Sequence, residues 1–430
     1  MCGILAFLGV TPTPGLLELA KHSLALLAHH RGPDQQQLVA CAPGTVLAHC
    51  RRRLNGEEAR RDPLLRAGKL TLTADGTIDN HQHLAESCHL HQPLQTECEI
   101  LLHLHKRFGS HPQRWLAQLR GKFAFVLYNA KSRGWLVARD HVGLASLYVG
   151  WMADGGFVVA SELKALEHIC VRTQPFPPGH MWLSTLPAPQ AWYAPSWYRE
   201  PGKAVPQPAQ LLTLLRSTVQ MHAAGRGTCG VLLMGDLGSA IVTALAARAA
   251  SLPSFGVGLA GSPELAAARH AARALGLERH HQDVAFTTAE ALSVLPDVVF
   301  HVETFNVATV RAAVPLYLLG RHLREHGIET VLVSTGAETL FGTRATSALA
   351  APHSEAVRRV QHLHRRAEAQ GCKGRHECQR RRAGGMGWGR AGRGAPEGVH
   401  VELLAGVGVE VCPGDGTVGR DLEGGQRSGV

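Results

Sequence analysis

Apolar positions in the first 190 residues fall in short runs divided by turns. Gly3-Ile4-Leu5-Ala6-Phe7-Leu8-Gly9-Val10 is almost wholly apolar and stops at a Thr-Pro pair, the pattern of a short strand buried on both faces. Runs at 45–48, 69–74, 122–129, 134–138 and 156–160 predict further strands. Leucines at helical spacing over 16–29 predict a helix, which Arg31-Gly32-Pro33-Asp34 ends because Gly and Pro break it. Arg31 and Asp34 are placed to tie that loop together. Residues 96–108 read as an amphipathic helix. Two sheets with helices outside are the natural packing for this order.

The rhythm changes after residue 186. A stretch rich in Pro and Trp over 186–203 reads as a linker, and 206–223 has helical periodicity. Gly230-Val231-Leu232-Leu233 then reads as a buried strand running into Met234-Gly235-Asp236-Leu237-Gly238-Ser239 and a helix over 240–250. A second strand at 254–258, a helix through 275 and a strand at 329–333 follow. Alternating strands and helices predict a mostly parallel sheet with its ligand at the carboxyl ends of the strands. A strand, glycine turn and helix can offer N–H groups and a positive helix end to an anion. By its residues alone, the 234–239 turn also fits a plain structural junction. Beyond 353 the periodicity stops. Residues 358–393 are rich in Arg, His and Gly and 394–430 in Gly, too little apolar surface to offset the entropy of ordering.

The length of 430 residues fits two domains and a tail. No apolar run approaches the ~20 residues of a membrane span, and no basic segment precedes the first apolar one, so neither a membrane nor a signal peptide is expected. Ten cysteines without a regular framework predict free thiols and a cytosolic location. The net charge is +10, but residues 356–393 alone hold about eleven basic and two acidic residues, roughly +9. The charge thus belongs to one late segment, and nucleic acid is not the expected partner of the folded part. An Arg-Gly strip holding RNA electrostatically is the minor reading. Cys372 and Cys378 flank His376 with too few further ligands for a metal site, and no metal-binding residues are assigned.

The chemistry is concentrated at Met1-Cys2-Gly3-Ile4. Removal of Met1 leaves a cysteine whose thiol and free α-amine share one carbon skeleton. An α-amine titrates near pKa ~7.7–8.0, so it can accept the thiol proton and return it to a leaving group.

With Arg31-Gly32-Pro33-Asp34, Gly76, Asn80-His81, Glu99-Ile100-Leu101, Phe123-Ala124-Phe125, Arg139-Asp140, Gly143, Ser161-Glu162-Leu163-Lys164 and Pro178-Gly179-His180 in order, the chain resembles glutamine-dependent asparagine synthetases. The tetrad beginning at Arg31 favours this family over the sugar-phosphate and purine amidotransferases. The resemblance implies an α/β and α+β protein. Residues 1–190 would form an N-terminal-nucleophile glutaminase sandwich (α/β/β/α), and 206–352 a partial doubly wound ATP-pyrophosphatase domain with a parallel sheet. Residues 353–430 would be a basic Gly/Arg-rich tail without order.

The resemblance also implies roles. Cys2 attacks the glutamine side-chain amide, forming a thioester and releasing ammonia. Arg51 grips the glutamine carboxylate, a task suited to its fork of donors. Asp75 and Gly76 occupy the oxyanion-hole pair, and Thr77 and Glu97 complete the glutamine site. ATP would lie against Leu233, Gly235, Ser239, Val257, Ser334 and Thr335, with Mg²⁺ brought by the ATP chemistry. Glu303-Thr304 and Thr309-Val310-Arg311 belong to a region linked to aspartate and ATP. Glutamine, aspartate and ATP are then the substrates; a homodimer is an open expectation.

Several residues depart from the family pattern. The family pair is Asn-Gly where this chain has Asp75-Gly76, and loss of one oxyanion donor lowers kcat by ~10²–10³. Glu97 replaces an Asp. The nucleotide turn of the family reads Ser-Gly-Gly-Leu-Asp-Ser, so Asp236 sets a carboxylate where phosphate oxygens belong. The turn after 333 is a residue short, and the resemblance stops near 352–360. The expectation is therefore glutamine-dependent asparagine synthesis with impaired activity. The alternative is a pseudoenzyme that keeps the fold as a regulatory or binding partner.

Overall fold

The computed structural model describes residues 2–52, 63–90, 92–109, 111–195, 207–223, 228–337 and 400–403. The apolar runs of the first part form two six-stranded antiparallel sheets. One runs, in spatial order, Arg172–Pro175, Tyr148–Trp151, Phe157–Ala160, Gly3–Leu8, Thr45–Arg51 and Gln35–Ala42. The other runs Gln190–Ala191, His180–Leu183, Gly134–Arg139, Gly121–Asn129, Leu70–Ile78 and Leu65–Ala67.

The two-residue period of a strand explains the layers. Ile4, Ala6 and Leu8 face the second sheet and pack with Ala124, Val126, Tyr128 and Val137. Leu5 and Phe7 point the other way, onto Leu24 and Leu27 of helix Leu16–Arg31. Across the sandwich, Phe123 and Phe125 turn outward to Leu101 and Leu104 of helix Ile100–Phe108 and to Trp115. This is the expected α/β/β/α stack. With both faces of the central strands covered, the apolar runs had to be nearly continuous.

The expected linker 186–203 is described only as far as residue 195, and that part is built into the sandwich. Gln190–Ala191 pairs with His180 and Met181. Trp192 is buried, stacks 6.0 Å from Phe123 and donates its indole N–H to the Arg139 carbonyl at 3.1 Å. Strand Gln35–Ala42 was unreadable for the opposite reason. It is a half-exposed edge opened by three glutamines, and only its partner strand reveals it.

The third sheet is parallel, in the order His281–Phe286, Ser254–Leu259, Cys229–Leu232, Thr330–Val333 and His400–Leu403. Val231 and Leu332 pack on one face with Val219 of helix Pro208–Ala223 and Leu245 of helix Leu237–Ala249. Leu232, Val331 and Val333 pack on the other with Leu319 and Leu323 of helix Val307–Glu325. That is the doubly wound arrangement. Strand order reverses between Cys229–Leu232 and Thr330–Val333, which places a topological switch point at their carboxyl ends.

Of the segment 353–430, only strand 400–403 is described; Cys372, His376 and Cys378 lie outside the described residues. Among the described residues, no helix is long and apolar enough to cross a membrane.

Candidate active site

Cys2 precedes a strand locked between two neighbours. Gly3 pairs with Cys50, and a Cβ on Gly3 would come within 2.5 Å of the Cys50 thiol. Ile4 donates its N–H to Ser161 Oγ at 2.9 Å and accepts from the Ser161 N–H at 3.0 Å. The main-chain nitrogen of Cys2 donates to Asp75 Oδ1 at 2.8 Å. Once Met1 is removed, that nitrogen is the α-amine.

Asp75 does not stand as an isolated charge. Its Oδ2 meets Arg31 Nη1 at 3.0 Å, and the same Nη1 donates to the Cys2 carbonyl at 3.0 Å. Arg31 Nε reaches Glu162 Oε1 at 2.6 Å and Nη2 reaches Ser146 Oγ at 2.5 Å. Burial opposes the guanidinium charge, but Glu162 and Asp75 outweigh it and hold Arg31 protonated above its ordinary range. Burial likewise opposes the Asp75 carboxylate. Arg31 and the Cys2 N–H prevail, so Asp75 stays ionised below the usual carboxylate range. The Asp75 carboxylate thus faces the Cys2 nitrogen and a buried cation, two partners far from it in sequence.

Arg31 was also expected to tie its loop to Asp34, whereas its guanidinium bonds run to Cys2, Asp75, Ser146 and Glu162. The tetrad's glycine has a separate reason. A Cβ on Gly32 would lie 2.3 Å from the Arg51 main-chain nitrogen, so only glycine lets the helix end pass so close to strand Thr45–Arg51.

Arg51 ends that strand, 6% exposed. Its Nε donates to Gln35 Oε1 at 3.0 Å, while Nη2 is buried without a hydrogen-bond partner among the described residues. A buried, unpartnered guanidinium nitrogen is costly unless a ligand reaches it. Gly76 lies beside Asp75 on strand Leu70–Ile78 at φ 125°, where a Cβ would sit 2.0 Å from the Lys122 carbonyl. Thr77 follows it, paired with Lys122. Glu97 is half-buried in the short 3-10 turn Glu97–Glu99. The next residue ties this turn to the oxyanion strand, with Cys98 Sγ donating to the Gly76 carbonyl at 3.6 Å. Burial raises the Cys98 thiol pKa and pushes that of Cys50 up to about 12. Both neighbours of Cys2 therefore remain thiols at neutral pH. His49, on the same strand as Cys50, is lowered to about 4 by burial and stays neutral beside Thr73 Oγ1 at 3.1 Å.

The second candidate site lies at the switch point. Leu233 and Val257 are buried, and the Leu233 N–H donates to the Phe255 carbonyl at 2.8 Å. Gly235 takes φ 79°, packing so close to Ala267 that a Cβ would fall 2.5 Å from it. The structure brings Ser334 to this turn: a Cβ on Gly238 would lie 3.3 Å from Ser334 Oγ and 3.2 Å from Ala337 Cβ. Thr335 follows, exposed. Asp236 is the N-cap of helix Leu237–Ala249. Its Oδ1 accepts from the Ser239 N–H at 2.8 Å and its Oδ2 from Ser239 Oγ at 2.8 Å. A pyrophosphate would use these same donors. The residues of the turn do not fit a bound polyphosphate with Mg²⁺, because the chain's own carboxylate holds the donors at the start of the helix.

Two family models match the chain: a glutamine amidotransferase domain over residues 1–193 and asparagine synthase over 210–390. Glutamine-hydrolysing asparagine synthetase 3 of Arabidopsis thaliana is 32% identical over 407 residues, covering 90% of this chain and 68% of that protein. A probable asparagine synthetase of Dictyostelium discoideum is 33% identical, covering 85% and 70%. The chain belongs to the glutamine-hydrolysing asparagine synthetase family. Against asparagine synthetase 2 of Arabidopsis thaliana, 34% identical, it spans 61% of the relative's length.

Within this asparagine synthetase homologue, three residues acquire meaning only from the fold. Asp140 is fully buried and gathers the N–H groups of Val142, Gly143, Leu144 and Ala145 at 2.6–3.0 Å, which explains the motif around it as loop architecture. Glu162 is the second carboxylate on Arg31. Glu303, in the region that the resemblance links to aspartate and ATP, touches the amidotransferase domain: its carboxylate accepts the N–H groups of Leu163 and Lys164, each at 2.8 Å. The Ser-Glu-Leu-Lys motif was visible in the sequence, but its partner 140 residues away was not.

Proposed function

We propose that the chain hydrolyses glutamine at Cys2 to supply ammonia for asparagine formation, with an impaired synthetase half. The observation that carries this reading is the pairing of a fixed nucleophile with a waiting cation. The Cys2 nitrogen is held by Asp75, and Arg51 Nη2 is buried without a partner among the described residues. A glutamine carboxylate on Arg51 gives that nitrogen its missing acceptor, and Glu97 supplies a negative charge for the glutamine amino group.

The α-amine takes the thiol proton, the Cys2 sulfur attacks the amide carbon, and the Gly76 N–H faces the oxyanion. The amine returns the proton as ammonia leaves, and water releases glutamate from the thioester. Asp75 holds the amine as an ammonium and supplies no donor to the oxyanion, so turnover is slow. Seven free thiols among the described residues belong with a reducing compartment such as the cytosol.

Asparagine formation needs an activated aspartate, and the Asp236 carboxylate on Ser239 opposes the binding of the ATP phosphates that would activate it. That same carboxylate favours a second reading, in which the synthetase-like domain serves only as a binding or regulatory partner.

The test is to incubate the full chain, Met1 removed, with glutamine and to measure glutamate and ammonia. Cys2→Ala is expected to reduce release to the buffer rate. Wild-type protein with no release above buffer would remove the catalytic reading and leave the regulatory one.

A further inference from the structure

We infer that Glu303 of the synthetase-like domain is a positioning residue for the nucleophile Cys2, acting across the domain boundary through the segment 161–164. The inference rests on glutamine hydrolysis at Cys2. It goes beyond that reading by making the second domain part of the first domain's active site.

The connection is continuous. Glu303 Oε2 accepts from the Leu163 N–H and Oε1 from the Lys164 N–H. Glu303 Oε1 also meets Lys164 Nζ at 3.1 Å, and that ammonium lies 2.6 Å from Glu162 Oε2. Glu162 Oε1 holds Arg31, and Arg31 holds both the Cys2 carbonyl and Asp75. A second route runs along the main chain, because Ser161 makes both hydrogen bonds to Ile4. The side chains of Arg31, Asp75, Glu162, Lys164 and Glu303 are all about nine-tenths buried. In so little water these ion pairs are weakly screened and directional.

The backbone of Glu303 adds an independent observation. It ends helix Leu295–Val302 at φ 53°, ψ 32°, a left-handed conformation that glycine or asparagine adopts at lower cost. A glutamate there is unfavourable for the helix end taken alone, and such outliers persist where surrounding contacts fix them. Here those contacts belong to the other domain, with the Lys164 ammonium also 4.7 Å from the Phe300 ring. Because Glu303 lies four residues before helix Val307–Glu325, which packs under the parallel sheet, a shift of that helix bears directly on the support of Cys2.

Glu303→Gly and Glu303→Gln separate positioning from folding. Glycine suits the left-handed backbone but removes the carboxylate; glutamine keeps the shape but can no longer pair with Lys164 as an anion. In the full chain with Met1 removed, Glu303→Gly is expected to lower kcat for ammonia release about tenfold or more. KM for glutamine should stay within about twofold, with no loss of melting temperature; Glu303→Gln should fall between. Alkylation of Cys2 by iodoacetamide, followed by mass spectrometry, should slow in the same order. Equal kcat and alkylation rates in wild type and Glu303→Gly would overturn the inference, as would losses that merely track a lower melting temperature in both variants. Should wild type release no ammonia, glutamine hydrolysis itself fails as a reading. The alkylation rates then still decide whether Glu303 supports Cys2.

Discussion

Two aspartates stand where the family carries an uncharged residue, one on a strand and one in a turn, and the fold treats them oppositely. Asp75 is 5% exposed, yet its two oxygens meet the Cys2 nitrogen and the Arg31 guanidinium. Among the described residues, Asp236 has no cation as a hydrogen-bond partner and turns onto Ser239 of its own helix. In the first site the extra charge is taken up by a network that surrounds the Cys2 nitrogen. In the second it caps the start of its own helix. The same substitution type therefore meets a buried cation in one place and only helix donors in the other.

The largest effect expected of this difference is on stability. Arg31→Met leaves Asp75 and Glu162 buried without their shared cation and should destabilise the protein by about 3–5 kcal/mol, read by denaturant unfolding. A loss under ~1 kcal/mol would mean that the amidotransferase network is no tighter than the isolated turn at Asp236. Next is Asp75→Asn. It frees the amine from a carboxylate and restores an oxyanion donor while Arg31 keeps Glu162, so kcat for glutamine hydrolysis should rise by about a hundredfold. A fall instead would show that the carboxylate assists the amine, and the contrast drawn between the two aspartates would need reversing. The smallest effect is at Asp236→Gly. Helix Leu237–Ala249 should lose only a few tenths of a kcal/mol, the usual cost of replacing a capping side chain by glycine. Inorganic pyrophosphate binding should appear by calorimetry where wild type shows none. Equal binding by wild type would break the comparison outright.

Much of the candidate site was legible because its chemistry is local. Cys2 sits beside the chain's own amine, Gly76 follows Asp75, and Gly235 and Ser239 share one turn. The family motifs carried Arg51 and Glu97 as well. The charges that govern those groups were not legible. Arg31 and Glu162 are separated by 131 positions, and Glu303 is about 140 from the N–H groups it holds. No periodicity marks either partner. Strand Gln35–Ala42 and Trp192 escaped for a related reason. The first is polar at an exposed edge, and the second sits among prolines that look like a linker until its ring is seen on Phe123.

The sequence by itself determined the family, the two sandwiched sheets, the parallel sheet and the candidate nucleophile, because apolar period and short motifs are properties of neighbouring residues. Tertiary structure alone decided which charges are neutralised, which carboxylate caps its own helix, and that the second domain reaches back to the first. Electrostatic free energy depends on distance and burial in space, and neither is encoded by position along the chain.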